Sequence, residues 1–341
     1  MNDLLVVGGG PAGLATALYA ARAGLEVAVW DKRAGTLDKA CGEGLMPGAV
    51  SALAGLGVDP DGADLHGIRY VAGQRSAAAP FRDALGRGVR RTTLHAAMGE
   101  TVAAAGVTVE HRCAENVRQD SEGVVVDGQR FRYVVAADGL HSPLRRRLGL
   151  EERAHHHRRY GLRRHYRLAP WTSYVEVHWA ATVEAYVTPV APDLVGVAML
   201  TAVRRSFEEH LSRFPSLRSR LRDAEPAGEV LGAGPLRQRT RTRVAGRVLL
   251  VGDAGGYVDA LTGEGVALAV AQARAAVSAL VAEDPALYEH DWRTVTRRYR
   301  LLTSSLLGAT RLGPVRRSLV PAAERLPSVF GAAVNALAGP A

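Results

Sequence analysis

"LLVVGGGPAGLATALYAARAGLEVAVWD", residues 4–31, decides the fold. An apolar, strand-like run ends at a glycine set, Gly8, Gly10 and Gly13. An Ala/Leu-rich helix follows, Gly24 closes it, and a second apolar strand ends on Asp31. Each glycine meets a separate need: a tight turn, close approach of backbone to pyrophosphate, and close helix–strand packing. Pro11 suits the first helical turn, and the helix N-terminus at Pro11 and Ala12 faces the phosphates with the positive end of its dipole. Asp31, 18 residues after Gly13, is placed to accept from a ribose hydroxyl, with Lys32 beside it. The stretch is a dinucleotide-binding βαβ unit.

Two later stretches also lead a strand into a glycine turn. In "RYVVAADGLHSPLRRRLG" (132–149) a strand leaves through Asp138 and Gly139, with Ser142 and Arg145 close behind. In "RVLLVGDAGGYVDALTGEGVALAVAQA" (247–273) a strand runs into Gly252 and Asp253, and Gly263, Glu264 and Gly265 open a long Ala/Val-rich helix. Taken singly, the central piece is an Asp-Gly turn after a strand. In this order the three resemble the flavoprotein hydroxylase and geranylgeranyl reductase superfamily, whose members bind FAD through a Gly-x-Gly-x-x-Gly unit, a central Asp-Gly turn and a C-terminal Gly-Asp motif. The resemblance covers roughly residues 1–285.

That resemblance implies a non-covalent FAD. Its pyrophosphate would lie by the first glycines and the Asp138–Gly139 turn, its ribityl chain on Asp253, and its isoalloxazine against Gly263–Gly265. A helix N-terminus there lowers the energy of anionic reduced flavin. Arg91, followed by "TTL", matches a family position where an arginine at a helix start contacts the cofactor. "KACGEGLMP" (39–47) resembles the Cys-Gly-Glu-Gly loop near the flavin in geranylgeranyl reductase relatives, which makes Cys41 and Glu43 candidate catalytic residues. Most relatives carry Pro where this chain has Ala260. No second Gly-x-Gly-x-x-Gly appears, so NAD(P)H serves as a transient reductant or a partner reduces the flavin.

The expected fold is α/β. A Rossmann-like FAD-binding domain of the glutathione-reductase type takes residues 1–66, 88–155 and 240–285. An interleaved antiparallel β-sheet for substrate takes 67–87 and 156–239, and C-terminal helices take 286–341. A helix begins at Arg91 with Leu94, Met98 and Val102 on one face. "GLRRHYRL", "SYVEVHW", "VEAYVTPV" and "LVGVAML" alternate as half-covered strands, and "GIRYVAG" (67–73) belongs to a sheet other than the first. Within "SYVEVHW", Tyr174, Glu176 and His178 share a face polar enough to line a pocket. His178 therefore joins the catalytic candidates, and Tyr186 of "AYVTPV" is another. Residues 207–222 read as one amphipathic, Arg-rich helix.

Composition is that of a globular protein, 47% apolar and 23% charged. The net charge of +9 suggests nucleic acid at first sight, but Lys32 and Lys39 are the only lysines and the arginines are scattered along the chain. No recognition motif accompanies the charge, so nucleic acid is not an expected partner. Basic runs at 155–167 and 237–243 suit anionic ligands or acidic lipid surfaces. Two cysteines, Cys41 and Cys113, supply neither a disulfide framework nor a zinc spacing, and no metal is expected. The chain opens directly on a strand and holds no apolar run of about 18 residues. A cytoplasmic protein is expected, with peripheral membrane contact through an apolar tail (301–339) that carries spaced arginines.

Flavin leaves two enzyme readings. In one, a flavin hydroperoxide hydroxylates or epoxidises a hydrophobic polyketide, aromatic or isoprenoid substrate in secondary metabolism. In the other, reduced flavin delivers a hydride to an isolated C=C bond, as in geranylgeranyl reductases. The "CGEGL" and "TGEG" loops favour the second. "AYVTPV" lacks the Trp and Phe of the Tyr-x-Trp-x-Phe-Pro segment typical of that branch, and this tips the expectation towards a monooxygenase. A non-catalytic lipid- or prenyl-binding protein of the same fold is the alternative outside enzymes; the intact glycine and Gly-Asp motifs oppose it.

Overall fold

The computed structural model describes residues 2–152 and 158–339; His155–His157, which open the first basic run, lie outside the described residues. Strand β1 (Asn2–Val7), helix α1 (Pro11–Arg22) and strand β2 (Val27–Asp31) form the opening unit, β1 and β2 being parallel. There follow the antiparallel hairpin of β3 (Gly67–Ala72) and β4 (Arg75–Pro80), helix α2 (Arg91–Ala104), β5 (Val109–His111) and β6 (Gln129–Ala136). Next come β7 (Tyr160–Arg167), β8 (Tyr174–Trp179), β9 (Val183–Ala191), β10 (Leu194–Thr201) and β11 (Val248–Leu250). Helices α3 (Gly265–Val281), α4 (Leu287–Thr310), α5 (Gly313–Arg325) and α6 (Pro327–Ala338) end the chain.

The first sheet runs β5-β2-β1-β6-β11, all parallel, with short antiparallel strands appended beyond β11 and on β6. Strand order reverses at β1: the chain goes first to β2 and β5 on one side, then to β6 and β11 on the other. In such sheets the ligand crevice lies beyond the carboxyl ends of the strands at the reversal. Gly8, Asp31, the Asp138–Gly139 turn and the Gly252–Asp253 turn follow β1, β2, β6 and β11, so topology alone brings three distant motifs together. Alternation along β1 sends Leu4 and Val6 towards α1 and α3, and Leu5 and Val7 towards Trp30 and Phe131. Gly13 is what lets α1 come so close, because a Cβ there would stand 1.8 Å from the Gly8 carbonyl oxygen. Leu94, Met98 and Val102 of α2 are buried, as their spacing predicts.

The second sheet runs β7-β10-β9-β8-β3-β4. It is antiparallel except between β8 and β3, which pair in parallel. The exception follows from β3 belonging to an earlier excursion of the chain. The segment 207–222 is two helices, Phe207–Leu211 and Pro215–Arg220, rather than the single one expected. Pro215 has no N–H to continue the first piece, and Ser206 with Glu209 closes the start of that piece in a capping box. Phe207, Phe214 and Leu217 cover one face of the sheet, against Val183, Ala185, Val187 and Val197.

The tail covers the other face. Leu307, Val320 and Ala338 join Val175, Val177, Trp179 and Leu261 in one cluster, while Phe330 and Val334 pack on Ala77 and Ala79 of the hairpin. Arg316 of α5 reaches Glu184 of β9 at 2.7 Å. No helix among the described residues is long and apolar enough to cross a membrane.

Candidate active site

The nucleotide end of the crevice is shaped by backbone. Gly8 has φ +113°, and a Cβ on it would come within 2.4 Å of the Ala137 oxygen. At Gly10 the nearest atom is Arg91 Nη2 at 4.0 Å, so that glycine faces open space. Helix α1 has no side-chain cap, which leaves its first N–H groups for an anion. Asp31 is fixed by the Gly9 N–H (2.7 Å) and the Arg33 N–H (2.9 Å). Burial works against its charge, but the hydrogen bonds from Arg33 and Gly9 outweigh this and hold its pKa below the ordinary value. A cleft of about 640 Å³ opens beside it, lined by Gly9, Leu14, Arg33, Leu37 and His95.

His95 went unnoticed in the sequence, although it stands one turn after Arg91. Its Nδ1 accepts from the Leu37 N–H at 3.4 Å. The proton therefore sits on Nε2, which donates to the Gly9 oxygen at 2.8 Å. Lys32 is exposed and engages through its carbonyl, which accepts from His111. The lysine that reaches the crevice is Lys39, whose Nζ lies 3.3 Å from where a Cβ of Gly139 would stand.

The two later turns are stapled by Arg145, which is fully buried. Its guanidinium donates to the carbonyls of Asp253, Ala254 and Leu140 and to Gln238 Oε1. Ser142 Oγ accepts from the Arg145 N–H and caps the helix that follows. Asp138 Oδ2 accepts from the Leu144 N–H, while its Oδ1 is buried without a partner. Burial raises the Asp253 carboxyl against the pull of Lys39, Arg91 and Arg145.

Glu264, just before α3, is buried, and burial pushes its pKa from 4.5 up to about 7 despite a hydrogen bond from Thr262. The folded state thus binds more protons here than the unfolded chain, so the group's contribution to stability falls as pH rises through this window. At full ionisation the penalty is on the order of 3 kcal/mol. Glu264→Gln is expected to melt above the parent at pH 8 and level with it at pH 4.5. Equal differences at the two pH values in calorimetry would contradict this.

At the reacting end, the 39–47 loop is held against the second sheet. Glu43 is buried at φ +59°, a conformation costing a non-glycine residue about 1–2 kcal/mol. Its surroundings over-determine it: Oε1 accepts from the Arg91 N–H (2.9 Å) and Oε2 from His165 Nε2 (2.6 Å). Arg163 donates to His165 Nδ1 at 3.0 Å, which leaves the imidazole proton on Nε2, facing Glu43. Arg163 also binds Asp38 and the Lys39 carbonyl. The sequence signal for this pair was two basic residues of equal parity in "GLRRHYRL", an alternation noted only as a strand.

Cys41 Sγ accepts from the Glu43 N–H at 3.4 Å. Burial pushes its thiol above the ordinary value and outweighs the cations Arg91 and Arg163. Cys41 therefore holds its proton at neutral pH. Tyr186 donates to the Leu261 carbonyl at 3.2 Å, and Thr188 of the same strand donates to the Gly42 carbonyl at 2.8 Å. Burial also puts the Tyr186 hydroxyl well above its usual value.

His178 does not join them. The pairing Val177↔Tyr186 puts Val177 on Tyr186's face and His178 on the opposite one, where His178 meets Glu176 (3.1 Å) and the Phe214 ring (6.2 Å). The crevice face of β8 is the apolar one, Val175, Val177 and Trp179, not the polar one expected. Sheet parity decides this, since moving by one residue exchanges the faces.

These residues fit FAD: open space at Gly10, an uncapped helix, cations at Arg91 and Lys39, and half-buried carboxylates at Asp138 and Asp253. A family model described as an FAD binding domain matches residues 1–284. The menaquinone reductase of Mycobacterium tuberculosis strain H37Rv is 30% identical over 319 residues, 83% of this chain and 77% of that protein. Digeranylgeranylglycerophospholipid reductase 2 of Methanosphaera stadtmanae is 26% identical over 295 residues, 78% of this chain and 74% of that protein. The crystal structure of a flavoprotein/dehydrogenase from Cytophaga hutchinsonii has the same fold, with a TM-score of 0.86 at 18% identity, over 99% of this chain and 92% of that one.

Proposed function

We propose, for a chain that belongs to the FAD binding domain family and to its superfamily of flavoprotein hydroxylases and geranylgeranyl reductases, that this FAD-dependent oxidoreductase reduces C=C bonds of a hydrophobic isoprenoid-type substrate, with NAD(P)H as transient reductant. The observation that carries this is the placement of the Cys41 thiol in a loop that Glu43 and Thr188 anchor beside the apolar wall of Val175, Val177, Trp179 and Leu261. When bound, FAD supplies the hydride and accepts electrons from the reductant.

The chain supplies the rest. Reducing a C=C bond needs a proton at the second carbon, and Cys41 Sγ holds one, with the Tyr186 hydroxyl as a second source on the facing strand. Glu43 is committed to Arg91 and His165 and positions the loop rather than transferring a proton. The apolar wall and the tail helices exclude water. The names of the two relatives, both reductases and one acting on a geranylgeranyl lipid, support reduction over the oxygenation favoured by the missing Trp and Phe.

The test is the mass of the product. Reduced holoenzyme given a geranylgeranyl lipid under labelled dioxygen is expected to yield product two mass units heavier, with no labelled oxygen. One atom of labelled oxygen in the product would establish monooxygenation instead, and a colourless protein would revive the non-catalytic prenyl binder. Cys41→Ser should keep its flavin and slow this turnover; an undiminished rate would transfer the proton donor's role to Tyr186.

A lipidic substrate also gives the tail a use. Leu301, Leu302, Leu312, Leu326 and Val329 are exposed on α4–α6 among the exposed Arg311, Arg317 and Arg325, a combination suited to an acidic lipid surface. The protein is expected to sediment with phosphatidylglycerol vesicles at low salt. Recovery in the supernatant there would rule out the surface contact.

A further inference from the structure

The basic stretch "RQRTRTR" (237–243) lines a cavity of about 210 Å³ behind the Gly252–Asp253 turn. Its lining shares Gly252, Asp253 and Gly265 with the cofactor motifs but includes none of Gly10, Lys39 or Arg91. Arg237, Arg239, Thr240 and Arg243 come from the stretch, and Trp292 and Arg300 come from two turns of α4. Some of this charge is compensated. Glu152 takes Arg239 at 3.4 Å, and Glu289 takes Arg243 at 2.9 Å together with Arg293 at 3.1 Å. Among the described residues, Arg237 and Arg300 pair with no carboxylate.

The Trp292 ring carries the Arg243 guanidinium 3.7 Å from its centroid and that of Arg300 at 5.0 Å. Arg300 is exposed at its outer end; partial desolvation, then the neighbouring Arg243, Arg239 and Arg237, lowers its pKa. Two guanidiniums without a carboxylate partner match a dianion rich in acceptor oxygens.

We propose that this cavity binds a phosphoryl group, the phosphomonoester or diphosphate of a phosphorylated ligand. Asp253 forms part of the lining, so the anion lies next to the turn that would carry the ribityl chain. Two ligands of the reaction could bring that group: the 2′-phosphate of NADPH, or the diphosphate or phosphodiester end of an isoprenoid lipid.

Flavin-loaded protein is titrated with inorganic pyrophosphate by calorimetry at fixed ionic strength, with potassium chloride as control. Saturable binding that leaves the flavin in place is expected, and Arg237→Gln and Arg300→Gln should each weaken it about tenfold. Absence of saturable binding, displacement of flavin by pyrophosphate, or parental affinity in both variants overturns the proposal. A second measurement identifies the source. A reduced preference for NADPH over NADH in flavin reduction by the variants assigns the site to the reductant, whereas a selective loss of affinity for geranylgeranyl diphosphate over geranylgeraniol assigns it to the lipid. If neither changes, the cavity is not a ligand site. The titration involves no turnover, so its result stands apart from whether the enzyme reduces C=C bonds.

Discussion

Gly10→Ala is expected to yield a folded protein without flavin, and Gly13→Ala a protein that does not fold properly. At Gly10 an added methyl meets nothing nearer than Arg91 Nη2 at 4.0 Å, so the only thing it can obstruct is the pyrophosphate that must approach the backbone. At Gly13 the same methyl would sit 1.8 Å from the Gly8 oxygen, a clash of backbone that α1 can relieve only by leaving the sheet. The comparison is made between flavin-free forms, since losing a ligand lowers the melting temperature by itself. Flavin-free Gly10→Ala should melt with the flavin-free parent, and Gly13→Ala should be insoluble or melt far below it. Full flavin occupancy in Gly10→Ala would remove the basis for placing the cofactor here.

Arg145→Met should carry the second large effect. The substitution keeps an unbranched stem but deprives the Asp253, Ala254 and Leu140 carbonyls and Gln238 of their donor. Removing one partner from a buried charged network costs about 3–5 kcal/mol. Because two of those carbonyls belong to the turn that would carry the ribityl chain, flavin affinity should fall along with stability. Urea denaturation and flavin titration measure the two separately. A variant matching the parent in both would show that the guanidinium is not what holds the turns together.

The nucleotide half was legible because its chemistry lies in the backbone. Glycine spacing, Pro11 and the acid ending each strand are properties of short segments, and strand order in a parallel sheet does the rest. The reacting half was less legible because its residues depend on parity and distance. His178 and Val177 are neighbours in sequence, and only the pairing Val177↔Tyr186 settles which of them faces the crevice. His165 meets Glu43 across 122 positions, and no local pattern announces such a contact. Cys41 was found through its loop, but its protonation state was not, since that depends on how deeply the surrounding fold encloses it. Lys32 and Lys39 exchanged places for a similar reason: adjacency to Asp31 in sequence is no guide to where a long side chain can reach.

Strand β1 lies between β2, completed by residue 31, and β6, made only at residues 129–136, with β11 at 248–250 beyond that. A ribosome adding about 5–20 residues per second separates the first of these strands from the last by on the order of tens of seconds. During that interval the growing sheet has a bare edge, the kind that invites pairing with the wrong chain. Helices α5 and α6, which pack on the β3–β4 hairpin, leave the ribosome later still. The order of synthesis therefore finishes the cofactor crevice before α5 and α6 cover the apolar face of the second sheet, and a half-made chain exposes to solvent the surface that the finished protein encloses.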